Sequence, residues 1–199
     1  MERLRMIDPQ DWDPKLKAAV NPDERTPLEN GLMRFFAHRP ELALGLGAFS
    51  GSLKRNRQLP ERLMELMRLR IAFHNQCRSC MAIRYKDAMN DGLTEDLVCS
   101  LERPYEAPDL SEKEKAAIRF GELLASNHLA IDDEVYGRLH EHFTDGEIVE
   151  LGMYAALCVG LGRWAATLHM VEELPEAFQE APVGYGALAP WGNDAVSVR

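Results

Sequence analysis

The opening residues, Met1-Glu2-Arg3-Leu4-Arg5-Met6-Ile7-Asp8-Pro9, lack the apolar stretch of a secretory signal, so a cytoplasmic location is expected. The chain also lacks a basic surplus. Its 23 Lys and Arg against 32 Asp and Glu leave a net charge of -9, which argues against nucleic acid or anionic membrane as general partners. No uncharged run reaches the roughly 20 residues a bilayer span needs. The most apolar stretch, Ile148 to Val171, is interrupted by Glu150, Arg163 and His169 and reads as a buried helix. Cysteine is scarce: Cys77, Cys80, Cys99 and Cys158 form no disulfide framework of the secreted kind. Alternating runs of Val, Ile and Thr, low-complexity tracts and clear repeats are missing, which excludes a β-rich or repeat architecture.

What is present is helical. The 199 residues with 46% apolar content suit one domain with a substantial core. Thr26-Pro27-Leu28-Glu29 has the form of an N-cap, an N1 proline and an acidic first turn, and its helix is expected to run to about His38. Pro40-Glu41 and Pro60-Glu61 open two more, the latter reaching Phe73 or His74. A fourth is expected from Cys77 to Asn90, ended by Asp91-Gly92, and a short fifth starts at Thr94. Ser111-Glu112-Lys113-Glu114 and Thr144-Asp145-Gly146-Glu147 are capping boxes, and Asp132 starts a helix between them. The fold class is all-α, divided into an N-terminal extension (1–24), a helical domain (25–175) and a C-terminal tail (176–199). The tail either stays loose or docks through Tyr185 and Trp191. Small residues on the last long helix, Gly152, Ala156, Gly160, Gly162, Ala165 and Ala166, signal close packing within or between subunits.

The chemistry centres on Cys77-Arg78-Ser79-Cys80. Cα atoms three residues apart in a helical turn lie about 5 Å apart, inside the roughly 4.4–6.8 Å that a disulfide spans. A helix N-terminus stabilises a thiolate. Redox use is therefore the first reading, with structural packing and half of a zinc site as alternatives; no second CxxC or HxxxH completes a metal set. If the helix after Pro60 folds back on the one after Cys77, Glu65 and Arg84 approach the cysteines, with His74 near the bend. Each has a plain alternative. Glu61, Glu65 and Arg68 form one helical stripe that a solvated face would also carry, Arg84 can pair with Asp87 or Glu65, and His74 can be a helix-end histidine. Cys99 and Cys158 read as inert core thiols, and Arg163 as a buried structural ion or an anion holder.

Glu65-Leu66, Arg70 through Cys80, Ala88 and Gly92-Leu93-Thr94-Glu95-Asp96-Leu97 together resemble the carboxymuconolactone decarboxylase/AhpD-like family, and the likeness covers roughly residues 25 to 175. The resemblance implies an AhpD-like multihelical bundle that assembles into homo-oligomers. It implies an alkylhydroperoxidase, a peroxiredoxin-type oxidoreductase without cofactor or metal. Cys80 would attack a small hydroperoxide substrate, Cys77 would resolve the product, Glu65 would help relay protons, and an external dithiol reductant would restore the thiols. The family's histidine four residues after the second cysteine is Arg84 here. Its charge can support a thiolate, but an arginine relays no proton, which leaves that task to His74 or water. Two other readings compete: a lyase acting on a small carboxylated lactone held by Arg84 or Arg163, and a non-catalytic helical oligomer that senses oxidants.

Overall fold

The computed structural model describes residues 3–180 and 187–199. Tyr185, one of the two expected docking residues of the tail, lies outside them. The described chain is all-α apart from two three-residue strands. In order it forms α1 (Pro14–Val20), α2 (Pro27–Asn30), α3 (Met33–Phe36), α4 (Pro40–Arg55), α5 (Glu61–Asn75), α6 (Arg78–Met81), β1 (Ile83–Tyr85), α7 (Lys86–Asn90), α8 (Glu95–Cys99), α9 (Glu112–Ser126), α10 (Asp133–His140), α11 (Asp145–Leu168), α12 (Glu176–Gln179) and β2 (Val196–Val198).

Capping chemistry starts the helices where the side chains dictate. Thr26, Ser111 and Thr144 each accept from the N3 amide while the N3 glutamate reaches back to the cap amide, and Thr94 and Asp132 cap α8 and α10. The helix expected from Thr26 to His38 is broken in two at Gly31. There the backbone passes so close to its own turn that a Cβ would stand 2.8 Å from the Leu28 carbonyl oxygen.

The centre of the bundle is α5. Ten of its fifteen residues are buried, on every side, so no amphipathic stripe marks it. One flank packs with α9, α10 and α11 through Met67, Ile71, Phe120, Leu151 and Ala155. The opposite flank packs through Leu66 and Leu69 on Ala88, Leu97 and Leu101. Close approach uses glycine at two points. A Cβ on Gly121 of α9 would stand 2.5 Å from Met67 Cγ, and one on Gly162 of α11 would stand 2.6 Å from Asn75 Nδ2.

The last long helix is buried on one face only. Ile148, Leu151, Ala155, Gly162 and Ala165 face inward, whereas Val149, Met153 and Trp164 are exposed. Among the described residues a Cβ on Gly152 or Gly160 would meet nothing within 4 Å, so only part of the small-residue pattern serves packing there. By length and composition α11 is apolar enough to cross a membrane; here its inner face lies on the α5–α9 core.

The expected continuous helix from Cys77 to Asn90 is interrupted by β1. Continuing the helix would pair the carbonyls of residues 80–83 with amides four residues on. Each of these carbonyls has another partner instead. The Cys80 carbonyl accepts from Arg68 Nη1 (2.6 Å), Met81 from Arg84 Nη1 (2.8 Å), Ala82 from the Val196 amide (2.8 Å) and Ile83 from both arginines (3.0 Å each). The Tyr85 amide donates to Glu65 (3.3 Å). Two guanidinium groups and the C-terminal strand thus take the place of one turn of helix, which satisfies the rule that buried backbone groups are paired.

The tail is docked. β2 runs parallel to β1 with Arg84 opposite Ser197. Gln76, in the left-handed conformation that ends α5, exchanges two side-chain hydrogen bonds with the Leu188 backbone (3.0 and 3.1 Å). Trp191 packs on Phe73 at 4.7 Å between ring centroids and lies beneath Arg70.

Candidate active site

Gln76 turns the chain out of α5 and places Cys77 at the N-cap of α6. Cys77 and Cys80 are joined in a disulfide with their Cα atoms 5.2 Å apart. Because β1 cuts the helix short, α6 has four residues, so the thiol at its start has little helix dipole behind it. The two sulfurs are not equivalent. Cys77 has no exposed surface, whereas Cys80 is half-buried and stands in the wall of an open cleft of about 1180 Å³.

Polar and apolar side chains share the cleft wall. Glu65, Arg68, Tyr85, Tyr154 and Cys158 line it, as do Leu28, Ile71, Leu157, Leu161 and Leu174. Glu65 is 2% exposed and accepts from Arg68 at 2.6 and 2.7 Å, so the stripe with Glu61 is not a solvated face at this position. Arg68 is the hub: besides Glu65 it holds the carbonyls of Cys80 and Ile83, and its Cζ lies 5.1 Å from the centre of the Tyr85 ring. Burial opposes its charge, but the Glu65 carboxylate outweighs that and raises its pKa. Burial also raises both phenols, Tyr85 and Tyr154, and pushes the Cys158 thiol up to about 11, so all three keep their protons near neutrality. Arg57 lies over the Tyr154 ring at 5.0 Å.

Of the residues singled out in the sequence, Cys77, Cys80 and Glu65 meet here. Arg84 does not. On β1 the side chains alternate, so Ile83 and Tyr85 face the cleft while Arg84, 2% exposed, points the other way to Glu95 (3.0 and 3.3 Å) and the Pro190 carbonyl (3.0 Å). Its expected partner Asp87 pairs with Lys54 instead. Arg163 is engaged by Asn75 and the Ala125 carbonyl. Cys99 is exposed, not a core thiol, and Cys158 belongs to the cleft wall. Arg68, Tyr85, Tyr154 and Cys158 were not legible as site residues; the i, i+3 spacing of Glu65 and Arg68 was the one signal for their pairing. Among the described residues no three His, Cys, Asp or Glu side chains converge as a metal site.

His74 lies elsewhere on α5, with Nε2 3.5 Å from Glu122. Burial alone would raise the Glu122 carboxyl; the nearby His74 and hydrogen bonds from Tyr105 and Arg70 outweigh it and hold the pKa at about 2. A depressed carboxylate stabilises the fold above its unfolded pKa of about 4.3, and that contribution fades as pH falls toward the folded value. Glu122→Gln should therefore lower stability by about 1–2 kcal/mol at pH 7, after allowance for screening at this rim. In urea unfolding the difference from wild type should close between pH 4.5 and 2. A difference that stays constant over that window contradicts the assignment.

The fold and this site define a class: an all-helical protein with a CxxC disulfide set in the wall of an open cleft. Residues 40–123 match the carboxymuconolactone decarboxylase family. The matched residues are less than half of the chain, and the AhpD-like likeness of the solved structures concerns the fold. An uncharacterised protein of Mycobacterium tuberculosis, Rv2313c, is 33% identical over 117 residues, which are 57% of this chain and 40% of that protein. The uncharacterised protein YdfG of Bacillus subtilis is 32% identical over 90 residues, 44% of this chain and 60% of that one. The matches thus span less than two thirds of these curated relatives. Among solved structures, the apo debrominase Bmp8 superposes with a TM-score of 0.71 at 17% identity, covering 89% of this chain and 96% of that one. An AhpD-core peroxidase-related protein from Ralstonia eutropha also gives 0.71, at 16% identity, with 89% and 94% covered. At these identities the structural likeness concerns the fold.

Proposed function

We propose that this chain is a thiol-dependent peroxidase that reduces alkyl hydroperoxides at Cys80 and is restored by an external dithiol. The observation that carries the reading is the asymmetry of the cystine, with one sulfur sealed and the other in the wall of a cleft where Leu28, Val171 and Leu174 pack in the same cluster as Cys80. In the reduced protein the Cys80 thiolate attacks the terminal peroxide oxygen. The O–O bond breaks, an S–O bond forms, and sulfur gives up two electrons to yield a sulfenic acid and an alcohol. Cys77, held at disulfide distance, then displaces hydroxide, which leaves as water with the Cys77 proton. A dithiol reopens the disulfide by exchange. Arg84 faces the tail rather than the cleft, which disfavours its use as the carboxylate holder of a lactone lyase. The working environment is the cytoplasm, and copies of the chain associate through the exposed Val149, Met153 and Trp164 face of α11.

The test is consumption of tert-butyl hydroperoxide with dithiothreitol as reductant. Wild type should turn over, Cys80→Ser should fall to the uncatalysed background, and Cys77→Ser, oxidised by one equivalent of hydroperoxide before any dithiol is added, should hold a trappable sulfenic acid. Equal rates for wild type and Cys80→Ser would end the proposal.

A further inference from the structure

We infer that the Tyr85 hydroxyl is the proton donor to the departing alkoxide, a catalytic role that deepens the peroxidase reading and rests on it. Breaking the O–O bond leaves an alkoxide, a far stronger base than a phenolate, so an acid at the cleft wall speeds the step. The cleft lining offers several candidates, and among the described residues His169, at the C-cap of α11, has no hydrogen bond to the Cys80 backbone. Arg84 points away, and His74 lies with Glu122. The Glu65 oxygens face the Arg68 guanidinium and so accept rather than donate. Arg68 itself holds its protons too firmly to yield one.

Tyr85 has the position. The alternation of β1 turns it into the cleft, five residues after Cys80. Arg68 ties the two together: one guanidinium nitrogen holds the Cys80 carbonyl at 2.6 Å, and the same group lies 5.1 Å from the centre of the Tyr85 ring. Tyr154 and Cys158 share the cleft but sit on α11, and among the described residues the Cys80 carbonyl is held by Arg68 and not by either of them. Burial keeps the phenol protonated until an alkoxide appears, and the guanidinium then stabilises the phenolate. The proton passes from Tyr85 to the alkoxide as Cys80 becomes the sulfenic acid. When the dithiol later regenerates the Cys80 thiol, the phenolate takes its proton, which restores thiolate and phenol together. The register that aims Tyr85 inward is held by the pairing of β1 with β2, so the far end of the chain positions the acid.

The experiment is single-turnover oxidation of the reduced full chain by hydroperoxides whose alcohols differ in acidity, with iodoacetamide alkylation of Cys80 in parallel. Tyr85→Phe keeps the ring beneath Arg68. It should slow oxidation by about 10²-fold or more at pH 7 and steepen the dependence on leaving-group acidity, with alkylation unchanged. Tyr136→Phe, on α10 and outside the cleft lining, should stay within a few-fold of wild type. Tyr85→Phe oxidation at the wild-type rate, or an equal fall in alkylation, overturns the role, the latter because Tyr85 would then act on the thiolate. A wild-type protein that alkylates readily yet resists every hydroperoxide overturns the peroxidase reading itself, which is a separate result.

Discussion

An Arg68→Met variant is expected to lose about 3–5 kcal/mol of folding stability, the range for removing one member of a buried ion pair. Glu65 is 2% exposed and takes two of its hydrogen bonds from this guanidinium, so the substitution leaves a carboxylate in the interior facing only the distant Tyr85 amide. The Cys80 carbonyl loses its donor as well; the Ile83 carbonyl keeps Arg84. Net stabilities of domains are about 5–15 kcal/mol, so the loss takes a large share. In urea the midpoint should fall at unchanged m-value. Arg68→Lys should recover part of the loss, because an ammonium restores the charge but not the fork that reaches a carboxylate and two carbonyls at once. A loss below about 1 kcal/mol, the size of an exposed pair, would mean that the pair is solvated.

The helix starts at Thr26, Ser111 and Thr144 were legible because a cap and its N3 partner are three residues apart, and no distant group is needed to close the box. The break at residues 82–85 was not. It depends on Arg68 from the preceding helix and on Val196 from more than a hundred residues downstream, and the local pattern Met81 to Asn90 carries no Gly or Pro to announce it. The site divides in the same way. The spacing of Glu65 to the CxxC already placed them near one bend. The direction of residues 84 and 85 follows strand alternation, not helical spacing, which is why Arg84 left the proposed cluster and Tyr85 entered the cleft wall. Cys158 and Tyr154 reach that wall because α11 crosses α5 at Gly162, a contact the small-residue pattern suggested without naming its partner.

Arg84→Met should cost less than Arg68→Met, about 2 kcal/mol from the two carbonyls it strands, yet it should free the tail. The difference lies in the partners. Glu95 is 53% exposed at its side chain, so losing Arg84 leaves a carboxylate that water can hydrate, unlike Glu65. Burial already pulls the Arg84 pKa down, and Glu95 only partly offsets this, so its removal also relieves a desolvated charge. What remains is the loss of donors to the Met81 and Pro190 carbonyls, the second of which anchors the tail beside the β1–β2 pair. Limited proteolysis should therefore cut between residues 187 and 199 much faster in Arg84→Met than in wild type, under conditions where the rest of the bundle resists. If the tail stays protected while the global unfolding free energy falls by the full 3–5 kcal/mol expected of a buried pair, then Arg84 holds the core and the strand pairing alone holds the tail. If the tail is cut and Tyr85→Phe-like kinetics appear in the same variant, the C-terminal strand is what keeps the cleft's acid in place.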